Sequence, residues 1–85
     1  MATGAEQAQE EKAKGNAAFQ KGDFELAVKH FSKAIELSPS DAVLYSNRSG
    51  AYASLKNFEQ ALKDAETCVK LKPDWAKVRN SKQTT

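Results

Sequence analysis

The sequence is poor in the residues that build covalent or metal-dependent chemistry. It has one cysteine, Cys68, and one histidine, His30. A lone thiol closes no internal disulfide, and the two side chains together are too few for a structural zinc site. An unpaired cysteine fits a reducing compartment. No Gly-rich loop is placed to cradle phosphate, no nucleophile pattern surrounds His30, and no carboxylate pair stands in a catalytic context. The expectation is a protein that is not an enzyme and needs no cofactor. Long apolar runs are also missing. Nothing approaches the roughly twenty residues that cross a bilayer, and Met1 to Glu11 lack the apolar centre of a signal peptide. These absences point to a cytoplasmic, membrane-free protein. The net charge is only +2, with Lys and Glu interspersed, which leaves no broad electrostatic footprint for nucleic acid.

Aromatic residues are few as well, and the apolar side chains are largely Ala, Leu and Val. Small side chains suit closely packed helices better than a thick sandwich core. At 85 residues the chain makes one small domain, near the lower edge of what folds on a single apolar core.

What the sequence does have is an internal repeat. A shift of thirty-four residues aligns Phe24 with Phe58, Glu25 with Glu59, Ala27 with Ala61, Lys29 with Lys63, Leu37 with Leu71 and Pro39 with Pro73. Within each copy the spacing is helical. Phe24, Ala27, Val28, Phe31, Ala34 and Ile35 form one stripe, and Phe58, Ala61, Leu62, Ala65, Cys68 and Val69 repeat it. Asp23 and Asn57 precede the stripes as N-cap candidates, and Pro39 and Pro73 follow them as stops. Each stripe is preceded by a further helical segment, about Glu6 to Lys21 in the first copy and about Ala42 to Leu55 in the second. The earlier segment has a thin apolar face of Ala8, Gly15, Ala18 and Phe19. Turns at Gly22-Asp23 and Lys56-Asn57 give two antiparallel helix pairs. A fifth helix is expected to start at Trp75.

The period, the turns and the small residues at Ala27 and Ala61 resemble the tetratricopeptide repeat (TPR) family. The resemblance implies an all-α solenoid of stacked antiparallel pairs with a concave groove. It places a disordered stretch at 1–5, two repeats over 6–75 (about 8–41 and 42–75), and a partial fifth helix or irregular tail over 76–85. Tyr45, Tyr52, Phe24, Phe31 and Phe58 are expected in the core, and His30 on a solvated helix face.

The strings KAKGNAAF (Lys12 to Phe19), LYSNRSGAYASL (Leu44 to Leu55) and VKLKPDWAK (Val69 to Lys77) narrow the resemblance. They are similar to the first TPR module of the co-chaperones that organise the seventy- and ninety-kilodalton heat-shock chaperones. In that family the groove grips a chaperone C-terminus ending Glu-Glu-Val-Asp, through a carboxylate clamp of Lys, Asn and Arg. The resemblance places the clamp on Lys12, Asn16, Asn47 and Lys77. Charged and amide donors held in place before the peptide arrives suit adjacent carboxylates. For Asn47 a hydrogen bond between helices is the plainer alternative. Gly50 and Ala53 would leave a shallow pocket for an apolar peptide side chain, or serve close helix packing. Phe19 would line the groove or fill it. The family's fifth clamp position, an Arg, is Ser81 here. Arg79 points roughly 200° around a helix from Lys77 and is a poor substitute.

Two functional readings follow. One is a co-chaperone module that binds chaperone C-termini. The other is a structural TPR scaffold that self-associates or binds another subunit and ignores a free C-terminus. Self-association would use the fourth helix, whose apolar stripe has only a short segment after it for cover.

Overall fold

The computed structural model describes residues 3–71. Lys77 and Ser81, and the expected start of a fifth helix at Trp75, lie outside the described residues. Four helices occupy the described chain: α1 (Gly4–Lys21), α2 (Phe24–Leu37), α3 (Ala42–Ser54) and α4 (Phe58–Leu71). Helix α1 starts at Gly4, ahead of the expected Glu6. The reason is a capping box. Thr3 Oγ1 accepts the Glu6 backbone N–H at 3.1 Å, and the Glu6 carboxylate accepts the Thr3 backbone N–H in return. Residues 4 and 5 are therefore the first turn of a helix, and the disordered stretch read over 1–5 does not extend to them. Asp23 caps α2 as expected, accepting from the Leu26 N–H. Asp41 does the same for α3 through the Val43 N–H.

The thirty-four-residue repeat reappears in the turns. The Asp23 N–H bonds the Ala18 carbonyl at 2.9 Å, and the Asn57 N–H bonds the Tyr52 carbonyl, also at 2.9 Å. Gly22 and Lys56 hold equivalent places with φ of 86° and 64°. Glycine adopts that left-handed conformation freely, whereas Lys56 bears the steric penalty of its Cβ.

Consecutive helices pack on one another, and α1 touches α3 only slightly. The core sits along α2. Ala27 and Phe31 meet Ala18 of α1 and Ala51 of α3, with Val28 alongside. Further along, Ala34 and Ile35 meet Leu44 and Tyr45 of α3. Gly15 explains why the thin face of α1 suffices. A Cβ built there would lie 2.6 Å from Phe31 Cε1, so only glycine lets the two helices approach this closely.

The two stripes differ in burial. On α2 the apolar face is largely enclosed. On α4, Ala61 and Cys68 are buried, whereas Phe58 is 65% and Leu62 61% exposed, with Val69 exposed beside them. Phe58 is thus a surface residue and not the core residue expected: its counterpart Phe24 packs on the Phe19 ring, whereas the place equivalent to Phe19 in the second copy is Ala53, which has no ring to offer. Cys68 takes the enclosed place that Ala34 has in the first copy.

Candidate functional site

Helices α1 and α3 flank α2 and leave an open cavity between them. Its volume is about 270 Å³, and its lining is Asn16 and Phe19 from α1, Phe31 from α2, and Ser46, Asn47 and Gly50 from α3. Four of the seven residues singled out in the sequence therefore meet here: Asn16, Phe19, Asn47 and Gly50. Lys12 lies one turn before Asn16 on α1, outside the cavity lining, and makes no ion pair with any described residue. Ala53 is exposed and does not line the cavity.

Each wall places its side chains for local reasons. On α1, positions 12, 16 and 19 recur at helical spacing on a face that adjoins Gly15, whose close approach to Phe31 lies beside them. Phe19 packs edge to face on Phe24 at 5.1 Å between ring centres, which fixes its ring at the mouth of the cavity. A Cβ on Gly50 would stand 3.6 Å from that ring, an ordinary contact, so Phe19 and Gly50 face each other across the groove with about a methyl group's space between them. Phe31 forms the floor. Its role and that of Ser46 went unread in the sequence, where Phe31 is one member of the core stripe and Ser46 one more polar helix residue. Among the described residues the hydrogen-bonding side chains of α3 are Tyr45, Arg48 and Ser49. Asn47 is not one of them, so the alternative of an interhelical hydrogen bond finds no partner there.

The neighbour of Asn47 holds α3 in rotation. Arg48 donates from Nε to Asp64 Oδ2 at 2.7 Å and from Nη2 to Asp64 Oδ1 at 2.8 Å. Its Nη1 donates to Ser32 Oγ at 3.0 Å. The guanidinium sits between the rings of Tyr45 and Tyr52, 5.8 Å from each centre. One side chain thereby ties α2, α3 and α4. Asp64 is 4% exposed, and its hydrogen bonds raise the Arg48 pKa above its already high ordinary value against the opposing effect of burial. Tyr45 and Tyr52 are half-buried partners of this ion pair, a more specific place than the general core expected for them.

A second polar tie joins α1 to α2. His30 Nδ1 lies 2.8 Å from Glu11 Oε1. His30 is thus partly enclosed and bonded, and the expectation of a solvated face is corrected. This bond, foremost, holds the Glu11 carboxyl below its ordinary range, with Lys14 and Lys33 adding to the effect against desolvation. The sign of the linkage follows. A carboxyl with a depressed native pKa contributes stability above its unfolded value, about 4.3, and loses it as pH falls through the native value. Urea melts between pH 6 and pH 3 should show wild type losing stability across the acid end of that window. Glu11→Gln should lose less there. Parallel curves for the two proteins would contradict the assignment.

Comparison with known proteins agrees with this architecture. A TPR repeat model matches residues 15–55, and a tetratricopeptide repeat model matches residues 42–74. Hsp70-Hsp90 organizing protein 2 of Arabidopsis thaliana is 60% identical over 70 residues, covering 82% of this chain and 12% of that protein. Heat shock protein sti1 homolog of Schizosaccharomyces pombe is 57% identical over 70 residues, with the same shares of 82% and 12%. The chain thus spans about an eighth of the length of these relatives. Among solved structures, the N-terminal domain of stress-induced protein-1 (STI-1) from C. elegans superposes with a TM-score of 0.79 at 34% identity, covering 89% of this chain and 60% of that one. With two copies of the repeat in sequence, two stacked antiparallel pairs in space and relatives of this likeness, the chain belongs to the tetratricopeptide repeat family.

Proposed function

We propose that the groove between α1 and α3 binds an acidic C-terminal peptide of the Glu-Glu-Val-Asp type, and that the chain acts as a co-chaperone interaction module. The observation that carries this reading is the approach of Asn16 and Asn47 to one cavity from opposite walls, with Lys12 one helical turn before Asn16 on α1. Amides and a cation are the donors a terminal carboxylate takes, and Phe19 and Gly50 offer an apolar surface beside them. The relatives are named as organizing proteins of Hsp70 and Hsp90, so the C-termini of the seventy- and ninety-kilodalton chaperones are the proposed partners. Lys77 would complete the clamp. Ser81 in place of the family's Arg would leave it weaker than a module with all five members. A groove that holds a peptide end calls for no catalytic group, and a cytoplasmic site of action suits these partners.

Asn47→Ala should weaken binding of a Glu-Glu-Val-Asp peptide by about 1.5–3 kcal/mol, the scale of a hydrogen bond to a charged group. Its helical circular dichroism should stay as in wild type. Calorimetry with the free-acid peptide and its C-terminal amide is the test. A clamp prefers the acid, and Asn47→Ala reduces that preference. Equal affinity of wild type for the two peptides would remove the clamp. The scaffold reading rests on a different surface, the exposed Phe58, Leu62 and Val69 of α4. It predicts indifference to both peptides, together with association that Leu62→Ser abolishes.

A further inference from the structure

We infer that the Glu11–His30 contact positions the N-terminal half of α1, and through it Lys12, for peptide binding. The inference rests on the clamp reading above. Three observations support it. First, α1 has little else to hold its beginning. From Gly4 to Glu11 it buries a single apolar side chain, Ala8, and the other buried positions of the helix, Gly15 and Ala18, come later. A methyl group secures a helix weakly. Second, α1 barely touches α3, so its distance from Asn47 is governed by how it sits on α2. Third, among the described residues the Glu11–His30 contact is the polar link between the early part of α1 and α2. It is short, 2.8 Å, and both side chains are largely shielded, at 16% and 23% exposed.

Lys12 follows Glu11 directly. On a helix it projects about 100° further around the axis, away from α2 and toward the groove side. Anything that lets the first turns of α1 swing or fray moves Lys12 before it moves Asn16, which is secured by the Gly15–Phe31 contact beside it. A long flexible cation that must be ordered on binding loses part of its contribution to the cost of ordering. Holding the backbone beneath Lys12 reduces that cost. His30 and Glu11 are in this sense positioning residues. They act through Lys12 and need not touch the peptide.

The test is a double-mutant cycle in peptide affinity. His30→Ala should weaken binding of the Glu-Glu-Val-Asp peptide about three- to tenfold, in line with one lost hydrogen bond. In a Lys12→Ala background the same change should add little, because the side chain it positions is gone. His30→Gln, which keeps a side-chain donor, should recover part of the affinity. Amide exchange should show faster opening of Gln7 to Lys12 in His30→Ala, with the amides of α3 unchanged. An equal loss in both backgrounds would mean that His30 acts on overall stability, and would overturn the inference. Unaltered affinity in His30→Ala would overturn it too. The clamp reading stands or falls separately, on whether wild type prefers the free acid to the amide. If it does not, both proposals fail together. If it does and the cycle shows no coupling, only the positioning role fails.

Discussion

In urea denaturation, Asp64→Ala is expected to lower the unfolding free energy by about 3 kcal/mol, the lower end of the range for breaking a buried ion pair. The low end applies because Arg48 keeps a fifth of its side chain in contact with water and retains Ser32 and the two tyrosine faces. The loss has two parts. Two charge-assisted hydrogen bonds disappear, and a guanidinium stays behind in a partly dry site without its counter-charge. Domains of this size have only about 5–15 kcal/mol of stability to begin with. Replacing both partners with apolar residues of similar volume, Arg48→Met with Asp64→Leu, should restore much of the loss, since no charge is then stranded. A cost for Asp64→Ala below about 1 kcal/mol would place the pair with ordinary surface ion pairs and contradict the enclosed geometry.

Gly15→Val is expected to cost about 3 kcal/mol, the upper end for overpacking, and Gly15→Ala about half of that. The sign is the point of interest. In an open helix interior, exchanging glycine for alanine gains up to about 1 kcal/mol. Here the added Cβ would come within 2.6–3.0 Å of three atoms of the Phe31 ring, and that ring is fully buried, so it could shift only toward the cavity that it floors. Gly4→Ala is the control on the same helix, because a methyl group there meets nothing within 4 Å. It should be neutral or slightly stabilising. Phe31→Leu should recover part of the loss in the Gly15→Ala background while costing stability alone. Gain of stability from Gly15→Ala would show that α1 and α2 can separate without penalty. It would also loosen the floor of the groove, because Phe31 is that floor.

Much of this architecture was legible because periodicity and punctuation survive in the chain. Ala27, Phe31, Ala34 and Ile35 recur at spacings that only a helix brings to one face, and they are the buried residues of α2. Asp23 and Gly22 mark a helix boundary by chemistry that needs no tertiary context. The convergence of Asn16, Phe19, Asn47 and Gly50 was legible by likeness to a family and not from spacing alone. What escaped were pairings between residues far apart in sequence. Arg48 and Asp64 look like two solvated helix charges until α3 and α4 are laid side by side, and His30 looks unpartnered until α1 covers it. Ala53, expected to leave space in the groove, does not line the cavity. It is three positions from Gly50 on the same helix, so spacing alone could not separate the two. Thr3 carried a readable signal, a Thr three residues before a Glu, that was masked by the absence of apolar residues around it.

The arrangement in which each helix rests on its neighbour in sequence has a kinetic consequence. Every pairing of consecutive helices in the described chain, from α1 on α2 through α3 on α4, closes a short loop. Structures made of such local contacts lose little chain entropy before their first contacts form, and they fold on the microsecond to millisecond scale. Either hairpin can form first, with its partner assembling on it. Kinetic phases slower than that would have to arise from prolyl isomerisation at Pro39 or Pro73 or from encounters between chains, and only the last kind would change with protein concentration.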